Sequence, residues 1–171
     1  MRRVMKRTFK VLFFSALLLV STRCGLKPAG SIDTVTPINP NPTGSTLSVY
    51  VFSAPWCAEC NRELPLLKSK FLTELNAEQQ SKVSVRVYVV TGKTAGQVAT
   101  QEISDEYGKS LELPFTMVAD KYYKTYRQYF EEGYAIPAAV LLNNNKQIIQ
   151  LYEPGSTNLE DLFAKIKKNL N

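Results

Sequence analysis

The sequence predicts an α/β domain built around a partly parallel sheet. Runs of β-branched and aromatic residues alternate with helical runs from residue 47 to residue 171. Hydrophobic residues make up 44% of the chain and charged residues 21%, which is the balance of a folded protein. The 171 residues suffice for one domain with a sizeable core, but not comfortably for two.

The first half of the folded domain is predicted to contain two strands and two helices. Residues 47–52 (LSVYVF) predict a strand, and a helix follows over 57–77, where large apolar residues recur at spacings near three and four. Residues 83–91 (VSVRVYVVT) predict a strand whose valines suit burial on both faces of a sheet. A second helix is expected over 94–107, ending near Gly108, because glycine is common just past helix ends.

The second half is predicted to contain three strands and two helices. Residues 115–119 (FTMVA) predict a short strand, and 121–130 a short helix with Tyr122, Tyr126 and Phe130 as a core-facing stripe. A hairpin is expected over 138–142 and 147–152, with asparagines 143–145 in the turn because Asn tolerates the left-handed conformation. An amphipathic helix over 158–170 ends the domain.

The N-terminal residues 1–23 have the features of an export signal. Five of the first ten residues are Lys or Arg, and an apolar run of ten residues, VLFFSALLLV, follows. As a helix this run spans about 15 Å, roughly half the hydrocarbon thickness of a bilayer, so it is a poor membrane span. A basic segment before a short apolar run predicts a secretory signal, with a buried core helix as the alternative.

Cys24 follows this signal and resembles the lipidated cysteine of bacterial lipoproteins, although Arg23 stands where those proteins carry a small residue. The alternatives are ordinary cleavage, an uncleaved anchor or a structural thiol. Residues 24–46, with four prolines among Gly, Ser, Thr and Asn, predict a flexible tether between a membrane and the domain 47–171. A disordered leader or an edge strand is the other interpretation of this segment.

Charge and composition exclude several classes of function. Six of the 21 Lys and Arg residues precede residue 24, which leaves 15 against 15 Asp and Glu in the rest of the chain. A basic surface for nucleic acid therefore has no support. The chain has no histidine, which excludes Ser-His-Asp and Cys-His catalysis and His-ligated metal sites. We expect no nucleic-acid partner, no metal and no cofactor.

The chemistry is expected at Cys57 and Cys60, in the segment APWCAEC at 54–60 directly after the first strand. A zinc site is excluded because a second cysteine pair or histidines would be needed. A structural disulfide is the alternative, although so short a loop constrains the unfolded chain little. At a helix N-terminus the free N–H groups and the helix dipole favour a Cys57 thiolate. Cys60, one turn further, would be shielded yet within reach, so we predict an attacking and a resolving thiol.

These motifs resemble the thioredoxin superfamily. Residues 56–65 read Trp-Cys-x-x-Cys-x-x-Glu-x-Pro, which is similar to the TlpA/ResA-like group of exported, often membrane-anchored thiol oxidoreductases, and the similarity extends over 47–171. The resemblance implies a thioredoxin-like three-layer sandwich, with a central mixed β-sheet flanked by helices and an inserted strand–helix unit before residues 115–120. It also implies a thiol–disulfide oxidoreductase with a redox-active Cys57–Cys60 disulfide that acts on protein disulfides or thiols.

The resemblance implies roles for four further residues. Glu63 matches the glutamate that assists proton transfer to or from the cysteines in that group; an exposed helical glutamate without a role is the alternative. Pro137 matches the cis-proline, and with Ile136 it would present backbone to a substrate; a trans-proline that begins an edge strand is the alternative. Trp56 is expected to border the substrate-facing surface, with a packing role equally open.

Three positions depart from the family's pattern. Glu59 stands where these proteins often carry proline or histidine, and its negative charge is expected to oppose ionisation of Cys57. Asn61 and Arg62 replace a basic pair, a difference that we regard as minor. After Pro137 the chain reads Ala-Ala-Val in place of Thr-Thr-Phe, which leaves the substrate contacts at this strand open.

We expect a reductant of protein disulfides in the bacterial envelope or periplasm, as in cytochrome c maturation, held to a membrane by lipidated Cys24. A membrane electron donor of the DsbD/CcdA type would then supply electrons. The alternatives are an oxidant that introduces disulfides, a non-enzymatic Cu(I) carrier that uses Cys57 and Cys60, and a binding module that retains only the fold. A peroxidase is disfavoured because residues 53–60 lack the Pro-x-x-x-Thr-x-x-Cys context.

Overall fold

The computed structural model of the protein describes residues 44–131 and 135–171. Its centre is a sheet of five strands, which are β1 (Leu47–Ser53), β2 (Val83–Val89), β3 (Thr116–Ala119), β4 (Ala138–Asn143) and β5 (Ile148–Tyr152). The strands lie in the order β3-β2-β1-β4-β5. β1, β2 and β3 are parallel, whereas β4 is antiparallel to both β1 and β5. The predicted mixed sheet is confirmed.

The predicted signal over 1–23, Cys24 and nearly all of the predicted tether lie outside the described residues. Within residues 44–131 and 135–171, none of the helices combines the length and the apolar character needed to cross a membrane.

The two central strands are buried on both faces. In β1, Val49 and Val51 face one core cluster, whereas Tyr50 and Phe52 face another. In β2, four valines face the first cluster, and Tyr88 faces the second. Burial on both faces is typical of central parallel strands, and it confirms the interpretation of the valine-rich run at 83–91.

Three helices contribute side chains to the first core cluster: α1 (Ala58–Glu74), α3 (Gln101–Ser110) and α4 (Leu159–Leu170). A short helix that the sequence did not predict, α2 (Ala77–Lys82), lies between α1 and β2. It forms because Asn76 and Gln79 make a capping box, each side chain accepting a hydrogen bond from the backbone N–H of the other residue. The helix predicted over 57–77 is confirmed as α1, which ends three residues earlier than predicted, at Glu74.

α3 begins at Gln101, whereas the sequence predicted a helix from residue 94. The preceding loop is held by Gln97, whose backbone and side-chain oxygens accept hydrogen bonds from the N–H groups of Gly92 and Lys93. The Thr100 side chain then caps the helix by accepting from Ile103 N at 3.2 Å. β2 and α3 together form the strand–helix unit expected before β3.

Gly108 lies inside α3 and does not end it, contrary to the prediction. A Cβ at this position would lie 2.6 Å from Met117 Cγ on β3. The glycine therefore serves the close packing of α3 against β3, and the helix continues to Ser110.

The second face of the sheet is covered by an aromatic segment, not by the helix predicted over 121–130. Two short 3₁₀ turns, Lys121–Tyr123 and Tyr126–Gln128, replace that helix. Tyr122 and Tyr123 have φ values of 57° and 58°, which a continuous α-helix does not allow. The predicted stripe is wrong at Tyr122, which is 69% exposed, and correct at Tyr126 and Phe130, which are buried.

The cause of this interruption is Asp120. Its carboxylate accepts hydrogen bonds from the backbone N–H groups of Thr125 and Tyr126, at 2.7 and 2.9 Å. Such side-chain bonds give the backbone an alternative to the helical pattern. They also bring the Tyr126 ring against Phe52 of β1, with the ring centroids 5.3 Å apart.

The hairpin of β4 and β5 forms as predicted, although its turn differs in detail. The residue with a left-handed backbone is Lys146, with φ 62°, and not one of the asparagines. Asn143 acts through its side chain, which accepts hydrogen bonds from the N–H groups of Asn145 and Gln147. The terminal helix α4 is confirmed, with Asn158 as its N-cap.

Candidate active site

Cys57 and Cys60 form a disulfide at the point where β1 leads into α1. Cys57 is the N-cap of α1, and its Sγ accepts a hydrogen bond from the Cys60 N–H at 3.1 Å. Cys60 is fully buried, whereas Cys57 retains 6% exposure. The two sulfurs therefore differ in access from solvent, with Cys57 on the outer side.

The Ile136–Pro137 peptide bond is cis and lies against the disulfide. The Ile136 carbonyl oxygen is 3.7 Å from Cys57 Sγ, and Ile136 packs against the small cluster formed by Ala54 and the two cysteines. The Pro137 carbonyl accepts a hydrogen bond from Gly155 N at 2.8 Å, which ties this loop to the segment before α4. The structure thus places a backbone carbonyl directly beside the outer sulfur.

Glu63 lies on the inner face of α1 and is buried, with 9% exposure. The backbone N–H of Thr157 donates to both of its carboxylate oxygens, at 2.9 and 3.2 Å. Burial raises the pKa of Glu63, and the hydrogen bonds from Thr157 act in the opposite direction. The alternative of an exposed glutamate is therefore wrong.

A small cavity brings these residues together. Cys60, Glu63, Pro137 and Thr157 all line it, and most of the remaining wall is aliphatic. Its volume is about 10 Å³, close to what one water molecule requires. The inner cysteine and the buried carboxylate thus line the same small cavity.

Trp56 lies at the surface beside Cys57, with 44% of its side chain exposed. Its indole Nε1–H donates to Thr91 Oγ1 at 2.7 Å, which holds the ring in place at the end of β2. Trp56 is therefore partly exposed and partly anchored. Sequence reasoning missed the contact with Thr91, because Trp56 lies 35 residues away along the chain.

The charge of Glu59 is compensated by Arg62. The two side chains form an ion pair on the exposed side of α1. The hydrogen bond from Arg62 is the main cause that lowers the pKa of Glu59. Glu59 stays ionised, but the adjacent cation reduces its effect on Cys57. Arg62 therefore offsets the charge of Glu59 between the two cysteines.

A hydrogen-bond network supports the turn that carries Cys57, and sequence reasoning missed it. The Tyr107 hydroxyl, on α3, donates to Asn61 Oδ1 at 2.8 Å and lies 3.1 Å from Ser53 Oγ. Asn61 Nδ2 in turn donates to the Pro55 carbonyl at 3.0 Å. Burial raises the pKa of Tyr107, so its hydroxyl keeps the proton that it donates. Asn61 is a structural member of the site.

Several solved structures have the same fold as this domain. A secreted disulfide oxidoreductase of Mycobacterium tuberculosis, homologous to E. coli DsbE, superposes with a TM-score of 0.53 at 18% identity, over 72% of this chain and 82% of that chain. The exposed lipoprotein thioredoxin Etrx1 of Streptococcus pneumoniae gives a TM-score of 0.55 at 17% identity, over 73% and 86% of the two chains. The protein has a thioredoxin-like fold.

The thioredoxin-like fold is shared by proteins with different chemistry. The Xanthomonas campestris bacterioferritin comigratory protein, studied for alkyl peroxide reduction, superposes with a TM-score of 0.57 at 13% identity, over 75% of this chain and 82% of that chain. No protein-family model matches the sequence, and no curated protein matches it. The likeness therefore establishes the fold, and the activity must be argued from the site.

Proposed function

We propose that the protein is a thiol–disulfide oxidoreductase that exchanges disulfides with protein substrates through Cys57 and Cys60. The observation that carries this proposal is the Cys57–Cys60 disulfide at the N-terminus of α1 in a thioredoxin-like fold, with Cys57 6% exposed and Cys60 fully buried. In the reduced protein, the free N–H groups and the dipole at the helix N-terminus would favour the thiolate form of Cys57. The Cys60 N–H already points at Cys57 Sγ and would stabilise that charge.

The reaction runs in two displacement steps. The Cys57 thiolate attacks a substrate disulfide, whose S–S bond breaks; the departing sulfur takes the electron pair and then a proton. Cys60 next loses its proton and attacks Cys57 Sγ in the mixed disulfide, and the second substrate sulfur leaves as a thiol. The substrate gains two electrons and two protons, and the protein ends with the disulfide that the structure contains.

We assign Glu63 the role of proton acceptor for Cys60. Because Cys60 is fully buried, its proton needs an acceptor inside the protein. Glu63 is a buried carboxylate in the same cavity, and the raised pKa brings it closer to the pH at which a base exchanges protons efficiently. In the reverse direction, the protonated Glu63 returns the proton to Cys60.

We assign substrate contacts to the surface around Cys57, formed by Trp56, Ile136 and Pro137. Trp56 precedes Cys57 in the chain and is 44% exposed, and the Ile136 carbonyl lies 3.7 Å from Cys57 Sγ. Pro137 has no N–H group, so a substrate backbone approaching here meets the carbonyl of Ile136 as its acceptor. These residues would position a polypeptide, and the cysteines would perform the exchange.

We propose that the domain works in the bacterial envelope as a reductant, anchored through lipidated Cys24 and the tether 24–46. The basic N-terminus, the apolar run and the position of Cys24 support export and lipidation. An envelope reductant needs a supply of electrons, which a membrane donor of the DsbD/CcdA type would provide. Apocytochrome disulfides in cytochrome c maturation are the proposed substrate.

The activity is tested by insulin disulfide reduction with dithiothreitol as electron source. Cys57→Ser is expected to abolish turnover, and Cys60→Ser to trap a mixed disulfide, since its resolving thiol is missing. Cys24→Ser is the matched control, because it also removes one thiol but should leave turnover unchanged. Full turnover by Cys57→Ser would contradict the proposal.

The direction of electron flow is tested by the reduction potential of the Cys57–Cys60 pair. Trp56 is the only tryptophan and adjoins Cys57, so its fluorescence reports the redox state during equilibration with glutathione. A value near or below roughly −220 mV supports a reductant, and a value above roughly −150 mV indicates an oxidant. Retention of Cu(I) by the reduced protein, without disulfide turnover, would favour the carrier alternative.

A further inference from the structure

Three of the six large hydrophobic side chains that are exposed in the described part of the chain belong to one edge of the sheet. They are Trp56, Val98 and Tyr122. Each lies in the segment that directly follows one of the parallel strands β1, β2 and β3. Single exposed side chains are ordinary on a protein surface, whereas a group of them is typical of an interaction surface.

The register of the sheet brings these three segments together. Ser53, Val89 and Ala119, the last residues of β1, β2 and β3, are aligned across the sheet, so the strands end side by side. Neighbouring strands lie about 4.8 Å apart, which puts the end of β3 roughly 10 Å from the strand that leads into the dithiol. Ligands of parallel sheets commonly bind at this edge, beyond the carboxyl ends of the strands.

A cavity lies between the loop after β2 and the segment after β3. Its volume is about 260 Å³, close to the lower end of ligand-binding clefts, about 300 Å³. Val98 and Tyr122 line it together with Thr91, which accepts the hydrogen bond from the Trp56 indole. This space suits a side chain of a bound polypeptide, and Thr91 connects it to the ring that adjoins Cys57.

The exposure of Tyr122 comes with a strained backbone. Periodicity predicts Tyr122 in the core-facing stripe, yet the hydrogen bonds to the Asp120 carboxylate interrupt the helix and leave this side chain exposed. Tyr122 and Tyr123 both have left-handed φ values, which residues with a large side chain rarely adopt. Strain of this kind concentrates at ligand-binding and active sites.

The segment after β3 is positively charged. Residues 121–127 read KYYKTYR, with three exposed cations and no acid. The buried Asp120 carboxylate directly before them offsets one of these charges. The facing loop adds no net charge, because its Lys93 is paired with Glu106. The surface therefore has an excess of positive charge, although residues 24–171 as a whole carry none.

We propose that this surface docks the polypeptide that carries the substrate disulfide, and that it favours substrates with an aromatic side chain beside acidic residues. The docking surface consists of Trp56, Val98, Tyr122, Lys121 and Lys124. The aromatic side chain occupies the cavity between Val98 and Tyr122, and the acidic residues lie against the two lysines. The inference rests on the function proposed above and adds a substrate class to it.

The chemistry of the surface determines this class. Tyr122 and Tyr123 line the cavity, and aromatic rings favour stacked or edge-to-face contacts with one another. Opposite charges across an interface speed the encounter and suppress partners of the wrong charge. An extended chain rises about 3.3 Å per residue, so about three residues separate the docked aromatic side chain from the substrate cysteine.

Two disulfide-bonded peptides of equal length test the charge preference. Both carry phenylalanine three residues from the cysteine on either side, flanked by glutamates in one peptide and by lysines in the other. We expect the protein to reduce the glutamate peptide with a kcat/KM roughly tenfold higher, as two exposed ion pairs can supply. The preference should vanish at 1 M salt, where the Debye length is about 3 Å. Equal kcat/KM values at low salt overturn the inference.

Charge reversal on the docking surface should invert this preference. In Lys121→Glu/Lys124→Glu the lysine peptide should become the better substrate. Hydroxyethyl disulfide, which is uncharged and too small to reach the cavity, should be reduced at the wild-type rate. Lys109→Glu/Lys168→Glu is the matched control, since it makes the same change in net charge in the last turns of α3 and α4. An unchanged preference in the first variant, or the same inversion in the control, overturns the inference.

Tyr122→Ala tests the aromatic part of the surface. The KM for the glutamate peptide should rise roughly fivefold with kcat unchanged, because the ring contributes binding and takes no part in the exchange. Tyr122→Phe keeps the ring and should match the wild-type protein. Leu66→Ala removes an exposed apolar side chain from α1 and should leave KM unchanged. A wild-type KM in Tyr122→Ala overturns the inference.

A failure of the docking surface can be distinguished from a failure of the proposed function. A wild-type protein that does not reduce hydroxyethyl disulfide refutes the function. Binding of the same peptides with serine in place of cysteine, followed by Trp56 fluorescence, then still tests the surface: tighter binding of the glutamate peptide supports the inference, and equal binding overturns it. Binding to phosphatidylglycerol vesicles that Lys121→Glu/Lys124→Glu loses, with equal kinetics for both peptides, would assign the surface to a membrane and overturn the inference.

Discussion

Tyr107→Phe removes a single hydroxyl that connects α3 to both sides of the active-site turn. This hydroxyl donates to Asn61 Oδ1 at 2.8 Å and lies within hydrogen-bond distance of Ser53 Oγ, at 3.1 Å. Tyr107 is 5% exposed and Ser53 is fully buried. The ring itself stays in place in the core in the variant, so the change isolates the two hydrogen bonds.

The expected loss in free energy of unfolding is about 2 kcal/mol. Each hydrogen bond contributes about 1 kcal/mol net, and the variant loses two. Ser53 is left buried without this partner, which acts in the same direction, whereas Asn61 is partly exposed and can bind water in its place. The cost of leaving Ser53 unpaired and the hydration of Asn61 act in opposite directions. The expected loss in free energy of unfolding is therefore the sum for the two hydrogen bonds.

Urea unfolding monitored by Trp56 fluorescence measures this loss. Tyr122→Phe is the matched control, because Tyr122 is 69% exposed and loses the same hydroxyl from the surface; its change should stay within about 0.5 kcal/mol. A loss below about 0.5 kcal/mol in Tyr107→Phe, or one equal to that of the control, would refute the proposed network.

Three further predictions concern the site and its supports. Burial raises the pKa of Glu63 above 4.5, so the native protein binds more protons than the unfolded chain above that pH. Its stability should therefore fall as pH rises through the native pKa. Glu63→Gln should remove this slope in urea titrations across the range, and an unchanged slope would contradict the assignment. Gly155→Ala should lose about 1–3 kcal/mol in urea unfolding, since the φ of Gly155 is 116°; a neutral effect would argue against strain there. Asn76→Ala removes the α2 capping box and should lose about 1 kcal/mol by the same assay, and wild-type stability in this variant would show that the box does not hold α2.

Sequence patterns predicted the elements in which local periodicity and burial agree. This holds for the strands at 47–52 and 83–91, the hairpin and the terminal helix. In each of these elements, the spacing of the apolar residues matches the face that the element buries. The prediction failed at 94–107 and 121–130, where side-chain bonds to the backbone decide the conformation. Gln97 holds a loop and Asp120 interrupts a helix, and neither effect is visible in periodicity.

The sequence by itself predicted the Cys57–Cys60 pair, which the structure shows as a disulfide. The spacing of Cys57 and Cys60 after a strand indicated a dithiol at a helix N-terminus, because residues three apart on a helix are neighbours whatever the rest of the fold does. Only the tertiary structure decided which residues surround them. Ile136 lies 79 residues from Cys57 along the chain, and Thr157 lies 94 residues from Glu63. Such contacts depend on how the sheet and helices pack, and packing brings together residues that share no local pattern.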